Sequence, residues 1–226
     1  MPETLAFDLY GTLVDPLRIA EQLERSLGSA AQRTAELWRM KQLEYTFRLT
    51  AMQRYEDFEQ VTAKALDFAL AVVGHDLSAV NRRQVMAAYD DLDLFPDAAE
   101  GLRRVHDAGY PMVVLSNGSP RMVQAAVRSA GLESWFEQLI SVDEVQTYKP
   151  SPLVYQHAAG RLGRAIGEIR LISSNPFDVI GATAVGMQVA WLARAGAVFD
   201  TLGPPPAMIL SSLTELVDRL QETSPR

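Results

Sequence analysis

The residues best suited to chemistry stand at the start of the chain. A short apolar run, Leu5-Ala6-Phe7, delivers one carboxylate, Asp8, to the turn Leu9-Tyr10-Gly11-Thr12. A carboxylate at the end of a strand, with the N–H groups of the next turn facing whatever binds there, is placed to act as a nucleophile. Alone, such an acid reads equally well as a turn or cap residue. Three later segments end in polar groups of matching kind: Leu115-Ser116-Asn117-Gly118, Tyr148-Lys149-Pro150 and Ser173-Ser174-Asn175-Pro176-Phe177-Asp178. Together they add a second acid, an ammonium, hydroxyls and amides, a set able to bind an anion and to move a proton.

Those groups need a scaffold that brings them to one place. From about residue 94 strand-like and helical patterns alternate. Strands are expected at 112–115, 138–141, 169–172, 187–192 and 208–210, and helices at 97–108, 120–130, 151–162, 177–185 and 212–222. Such alternation implies right-handed βαβ units and a parallel sheet, with ligands outside the carboxyl ends of the strands. Asp8, Ser116, Asn117, Ser173, Ser174 and Asn175 all fall at those ends. Between the first strand and residue 93 the pattern is helical, over 17–28, 30–50, 55–73 and 78–92, with Leu37, Met40, Leu43 and Phe47 at helical spacing. The expected fold is α/β: a Rossmann-like parallel sheet core (1–15 and 94–226) with an inserted helical cap domain (16–93). Hinges are expected near Asp15-Pro16 and Leu94-Pro96, and the cap keeps water from a charged nucleophile.

Composition narrows the functions further. A chain of 226 residues, 48% hydrophobic and 22% charged, can bury a full core. Its net charge of −7 and lack of any Lys/Arg block argue against nucleic acid as a partner. The absence of cysteine excludes disulfides, a thiolate nucleophile and thiolate-bound metals, and fits a reducing cytoplasm. The start Met1-Pro2-Glu3-Thr4 has no basic or apolar stretch of signal type, and the most apolar window, 66–73, is far too short to span a membrane. A cytoplasmic protein is expected, and that window makes a homodimer reasonable. His75, His106 and His157 share no metal-ligand spacing. Trp38, Trp135 and Trp191 read as core or interface residues. No Gly-x-Ser-x-Gly elbow or Gly-rich phosphate loop is present.

The order Asp8-x-x-Gly11-Thr12, then Ser116-Asn117-Gly118, then Lys149-Pro150, then Ser173-Ser174-Asn175-x-x-Asp178 resembles the four motifs of the haloacid dehalogenase superfamily, and the resemblance covers the whole chain. Superfamily phosphatases place a second acid two residues after the nucleophile and bind Mg²⁺ through a further acid in the fourth motif. Here Tyr10 and Ser174 hold those positions. A phenol with a pKa near 10 is a poor proton donor at pH 7, and two carboxylates make a thin cage for a hard cation. A Mg²⁺-dependent small-molecule phosphatase is therefore the rival reading and not the preferred one. Halide needs no proton to leave.

The Asp-x-Tyr-Gly-Thr form of the first motif is similar to that of the L-2-haloacid dehalogenases. So is Trp38-Arg39-Met40-Lys41-Gln42-Leu43-Glu44-Tyr45 to a segment whose Arg receives the halide. The resemblance implies metal-independent hydrolysis of short 2-haloalkanoic acids with inversion, without a cofactor. Asp8 would form an ester at C2, with Arg39 receiving the halide ion. Ser116, Lys149 and the Leu9 and Tyr10 N–H groups would hold the substrate carboxylate, with Asn117 alongside. Lys149 would also keep Asp8 ionised, and Tyr155 would support the Lys149 region. Asp178 would be the base for ester hydrolysis, with Thr12, Ser173 and Asn175 positioning the water. Tyr10, Leu43, Phe58 and Phe177 would line an apolar pocket. Phe177 and Met40 stand where the family commonly has Trp and Gln.

Overall fold

The computed structural model describes residues 2–223. Six strands form one parallel sheet in the order β3-β2-β1-β4-β5-β6. They are β1 (Thr4–Phe7), β2 (Met112–Ser116), β3 (Gln138–Ser141), β4 (Ile169–Ser173), β5 (Gln188–Leu192) and β6 (Ile209–Leu210). β1, β2 and β4 are buried along their whole length, which their runs of Val, Ile, Leu and Ala require of a sheet covered on both faces. Chain order reverses around β1, whose neighbours are β2 and β4. The ends of these three strands therefore meet at the point where such sheets bind ligands.

Helices α5 (Ala98–Asp107), α6 (Pro120–Ser129), α7 (Pro152–Leu162), α8 (Pro176–Ala184) and α9 (Leu216–Thr223) connect and follow the strands. Three of them start with Pro in the first turn, where no N–H partner is lost. The Ser119 hydroxyl accepts from Met122 N–H and caps α6. α8 lies close to the loop after β3 because residue 181 is Gly: a Cβ there would stand 2.5 Å from Pro150 Cβ and 2.7 Å from the Tyr155 hydroxyl.

Between β1 and α5 come α1 (Ile19–Leu27), α2 (Ala31–Ala51), α3 (Phe58–Val73) and α4 (Ala79–Ala88). Asp57 and Ser78 cap α3 and α4, each accepting from an N–H three residues on. The expected helix 78–92 ends at Ala88. The Tyr89 side chain turns inward, 1% exposed, and Tyr89, Asp90 and Asp91 form turns. The expected helix 17–28 opens with a 3₁₀ turn, Pro16–Arg18, capped by Asp15. The last expected helix likewise opens as 3₁₀, Leu213–Glu215, before α9. The two chain segments that link these helices to the sheet meet in an isolated antiparallel bridge: Phe95 N–H donates to Leu13 O and Asp15 N–H to Asp93 O, both at 2.9 Å.

Polar contacts hold the helices over the strand ends. Arg121 at the start of α6 donates to Glu59 of α3 (2.8 Å) and to Asp90 (2.6 Å). The Tyr55 hydroxyl donates to Asp143 (2.6 Å), and the Tyr148 hydroxyl donates to Glu56 O. The apolar window 66–73 is split between interior and surface. Leu66, Ala69 and Leu70 are buried, Val73 is half-buried, and Asp67, Phe68, Ala71 and Val72 are exposed. Met40 departs from the expected inward stripe of α2 and is 56% exposed, because Trp38 and Gln42 take the inward positions.

Candidate active site

Asp8 follows β1, and its N–H donates to Ile172 O of β4 (3.0 Å), so the strand pairing itself fixes where the carboxylate starts. The chain then reverses at Gly11, whose φ of +89° few other residues tolerate. The two carboxylate oxygens of Asp8 have unequal surroundings. Oδ2 accepts from the Asn175 amide (2.7 Å), the Thr12 hydroxyl (2.8 Å) and the Ser173 hydroxyl (3.3 Å). Oδ1 accepts from the Lys149 ammonium at 3.1 Å. Thr12, Ser173 and Asn175, expected to position a water, thus hold the nucleophile itself.

Lys149 is 1% exposed. Its three N–H donors all have acceptors: Asp8 Oδ1, Asp178 Oδ2 (2.7 Å) and Leu115 O (2.7 Å). None is left for a substrate carboxylate, so that part of the expected Lys149 role is not what the geometry offers. Burial alone would pull the ammonium pKa down, but the charges of Asp178 and Asp8 outweigh it and hold Lys149 above its ordinary range. Asp178 is fully buried in the first turn of α8. Its Oδ1 accepts from the Tyr155 hydroxyl at 2.8 Å. Tyr155 therefore supports Asp178 and reaches Lys149 only through it. Burial, opposed by the Lys149 charge and reinforced by that of Asp8, pushes the Asp178 carboxyl up to about 6.

A cavity of about 10 Å³ opens beside Asp8, lined by Tyr10, Arg39, Leu43, Phe58, Asn117, Lys149, Asn175 and Phe177. That is room for about one water. Arg39 projects from α2, donating from Nη2 to Tyr10 O (3.0 Å) and from Nη1 to Gln42 (2.8 Å). The Phe177 ring packs edge-on to Phe47 at 5.1 Å. Ser116 is buried, and its hydroxyl accepts from Gly118 N–H. Asn117 lines the cavity, and its Oδ1 accepts from Lys149 N–H (3.0 Å). The N–H groups of Leu9 and Tyr10 make no turn or loop bond to backbone among the described residues. The Tyr10 hydroxyl is buried, has no hydrogen-bond partner among the described residues, and is held far above the ordinary phenol range by burial.

A family model for haloacid dehalogenase-like hydrolases matches residues 2–186 of this chain. The chain belongs to that family.

Among other haloacid dehalogenase-like hydrolases, the chain is 39% identical to an (S)-2-haloacid dehalogenase of Pseudomonas sp. (strain YL), covering 95% of this chain and 92% of that protein. It is 36% identical to haloacetate dehalogenase H-2 of Moraxella sp. (strain B), covering 95% and 96%. In structure it is similar to an L-2-haloacid dehalogenase from Xanthobacter autotrophicus with chloropropionic acid covalently bound. The TM-score is 0.92 and the identity 32%, over 99% of this chain and 100% of that one.

The donors here do not fit the magnesium that the rival phosphatase reading requires. Asn175 Nδ2 donates both to Asp8 Oδ2 and to Tyr10 O (3.1 Å), placing N–H hydrogens where a cation would need open lone pairs. The Ser174 hydroxyl accepts from Arg194, and no three acidic or imidazole groups converge among the described residues. His75 and His106 are exposed, and His157 meets Glu144 far from Asp8 in the chain. The residues that sequence reasoning passed over are Gln42, Thr62 and Tyr89. They are buried polar groups on three elements, and only their contacts to Arg39 and to one another single them out.

Proposed function

We propose that this haloacid dehalogenase-like hydrolase converts short (S)-2-haloacids to (R)-2-hydroxyacids through an ester of Asp8, without a metal or other cofactor. The observation that carries the reading is the asymmetry of Asp8. Oδ1, with a single partner, is the oxygen free to attack C2. Arg39, across the cavity, receives the halide as it departs from the opposite side, which inverts C2. Ser116, the Asn117 amide nitrogen and the Leu9 and Tyr10 N–H groups hold the substrate carboxylate, while Tyr10, Leu43, Phe58 and Phe177 enclose the alkyl group. No proton donor is needed for halide, and the neutral, buried Tyr10 phenol supplies none.

In the second step Oδ2 is the ester carbonyl oxygen. Its three donors, Thr12, Ser173 and Asn175, then stabilise the oxyanion that forms when water attacks Cγ. Cleavage of the Cγ–Oδ1 bond leaves C2 untouched, so the inversion is kept. Asp178 takes the proton of that water. Alkylation neutralises Asp8 and so removes one of the charges that raise the Asp178 pKa. The base is thus more completely ionised in the ester than in the free enzyme.

The segment 16–93 acts as a cap on this site, held down by the Arg121 contacts and joined through the bridged segments at Asp15 and Phe95. A cytoplasmic setting and a homodimer belong to the same reading. No helix among the described residues is long and apolar enough to cross a membrane, and Met40, Phe68 and Val72 face outward from α2 and α3.

The test is halide release from 2-chloropropionate of each configuration, with EDTA present, beside p-nitrophenyl phosphate. Chloride from the (S) acid and none from the (R) acid is the expected result; EDTA-sensitive phosphate release without chloride would establish the phosphatase reading instead. A second expectation concerns pH. Single-turnover ester hydrolysis loses rate as pH falls through the Asp178 titration. Tyr155 donates to the ionised carboxyl and lowers its pKa, so Tyr155→Phe raises that pKa and moves the acid limb to higher pH. An unmoved limb would remove Asp178 from the base role.

A further inference from the structure

Arg39 carries the halide step in the reading above, and the inference that follows rests on that reading. We infer that Gln42, braced by Thr62 and Tyr89, is a positioning residue. It aims the Arg39 guanidinium into the cavity and so sets how well the site receives a departing halide.

Gln42 lies on α2 close to one turn beyond Arg39 and is fully buried. A carboxamide at such a position is costly unless each polar end is met, and an apolar side chain would pack there more cheaply. Both ends are met, and the direction of each bond is forced. The Thr62 hydroxyl donates to Phe58 O (2.6 Å), so its oxygen can only accept from Gln42 Nε2 (2.7 Å). The amide nitrogen must therefore face α3, which turns Oε1 toward Arg39 Nη1 (2.8 Å). The Tyr89 hydroxyl donates to the same oxygen at 3.3 Å.

The bracing groups are themselves immobilised. The Tyr89 ring packs on Trp38 (5.0 Å) and Tyr10 (5.9 Å), and Trp38 Nε1 donates to Thr62 O (2.8 Å). Arg39 thus has one guanidinium nitrogen fixed by Gln42 and another by Tyr10 O. Two fixed points on a planar fork determine its plane, leaving further N–H donors for an anion in the cavity. An arginine without those points would spread over many rotamers and meet the halide only part of the time.

The test uses the full-length enzyme, potassium bromide as a competing anion, and single turnovers of 2-chloro- and 2-bromopropionate. Gln42→Met keeps the side-chain shape and removes the acceptor. It is expected to weaken bromide inhibition about tenfold and to slow displacement by a similar factor. The loss is larger for chloride than for bromide as leaving group, and the rate of ester hydrolysis is unchanged. Thr62→Val and Tyr89→Phe give smaller losses in the same direction, and Tyr89→Phe, which keeps every ring contact, carries the test if Gln42→Met does not fold. Arg39→Ala is the reference. Full bromide inhibition in Arg39→Ala would sink the halide reading and this inference with it. Loss of inhibition in Arg39→Ala with wild-type inhibition and step rates in the Gln42, Thr62 and Tyr89 variants would sink this inference alone, marking Gln42 as packing.

Discussion

Asp8→Asn lowers halide release by about 10⁴-fold or more, because an amide is a weak nucleophile and nothing else in the cavity can take its place. The diagnostic result is isotopic. In a single turnover in H₂¹⁸O the product hydroxyl is unlabelled, since it carries Asp8 Oδ1 away, and the label enters Asp8. Mass spectrometry of the Asp8 peptide after many turnovers then shows one ¹⁸O and not two. Oδ2 is pinned by Thr12, Ser173 and Asn175, so the oxygen arriving from water takes the Oδ1 place and is the next to leave. Label in the first product molecule would show that water attacks C2 directly. Two labels per Asp8 would show that the carboxylate turns over between cycles.

Lys149→Met costs about 3–5 kcal/mol of stability and abolishes turnover, the expectation for removing the one cation between two buried acids. One acid must then take up a proton. An acid whose pKa is raised in the folded state contributes its stability at low pH and loses it as pH rises, so the deficit of Lys149→Met shrinks on acidification. Adding Asp178→Asn removes the second charge and recovers much of the stability without recovering halide release. Urea unfolding at two pH values, with halide release assayed alongside, checks each part. A Lys149→Met variant as stable as the parent at neutral pH would show that the ammonium is not what holds the two carboxylates together.

The sheet was legible because its strands are short apolar runs that end in polar residues, and periodicity places such runs well. Helix ends were less so. Tyr89 extends the helical pattern beyond Ala88, and only its burial against Trp38 and Tyr10 shows why the helix stops. The site was legible as a set of residues through resemblance, since Asp8, Arg39, Lys149, Asn175 and Asp178 stand at motif positions. Their partners were not. Whether Asn175 faces a water or Asp8, and whether Tyr155 meets Lys149 or Asp178, depends on sub-ångström placement across β1, β4, α7 and α8. Gln42 shows the same limit from the other side. It sits inside the matched segment of α2, yet a buried glutamine has no sequence signal until its neighbours from α3 and the end of α4 are known.

A pocket with space for a single water when shut cannot admit a 2-haloacid as it stands. On the proposed cap reading, entry depends on the fraction of molecules in which segment 16–93 stands clear of the strand ends, and apparent affinity falls in proportion to that fraction. Discrimination among acids of different length can then arise at the doorway, from how far Glu59 and Asp90 must part from Arg121, before any atom of the substrate meets Asp8.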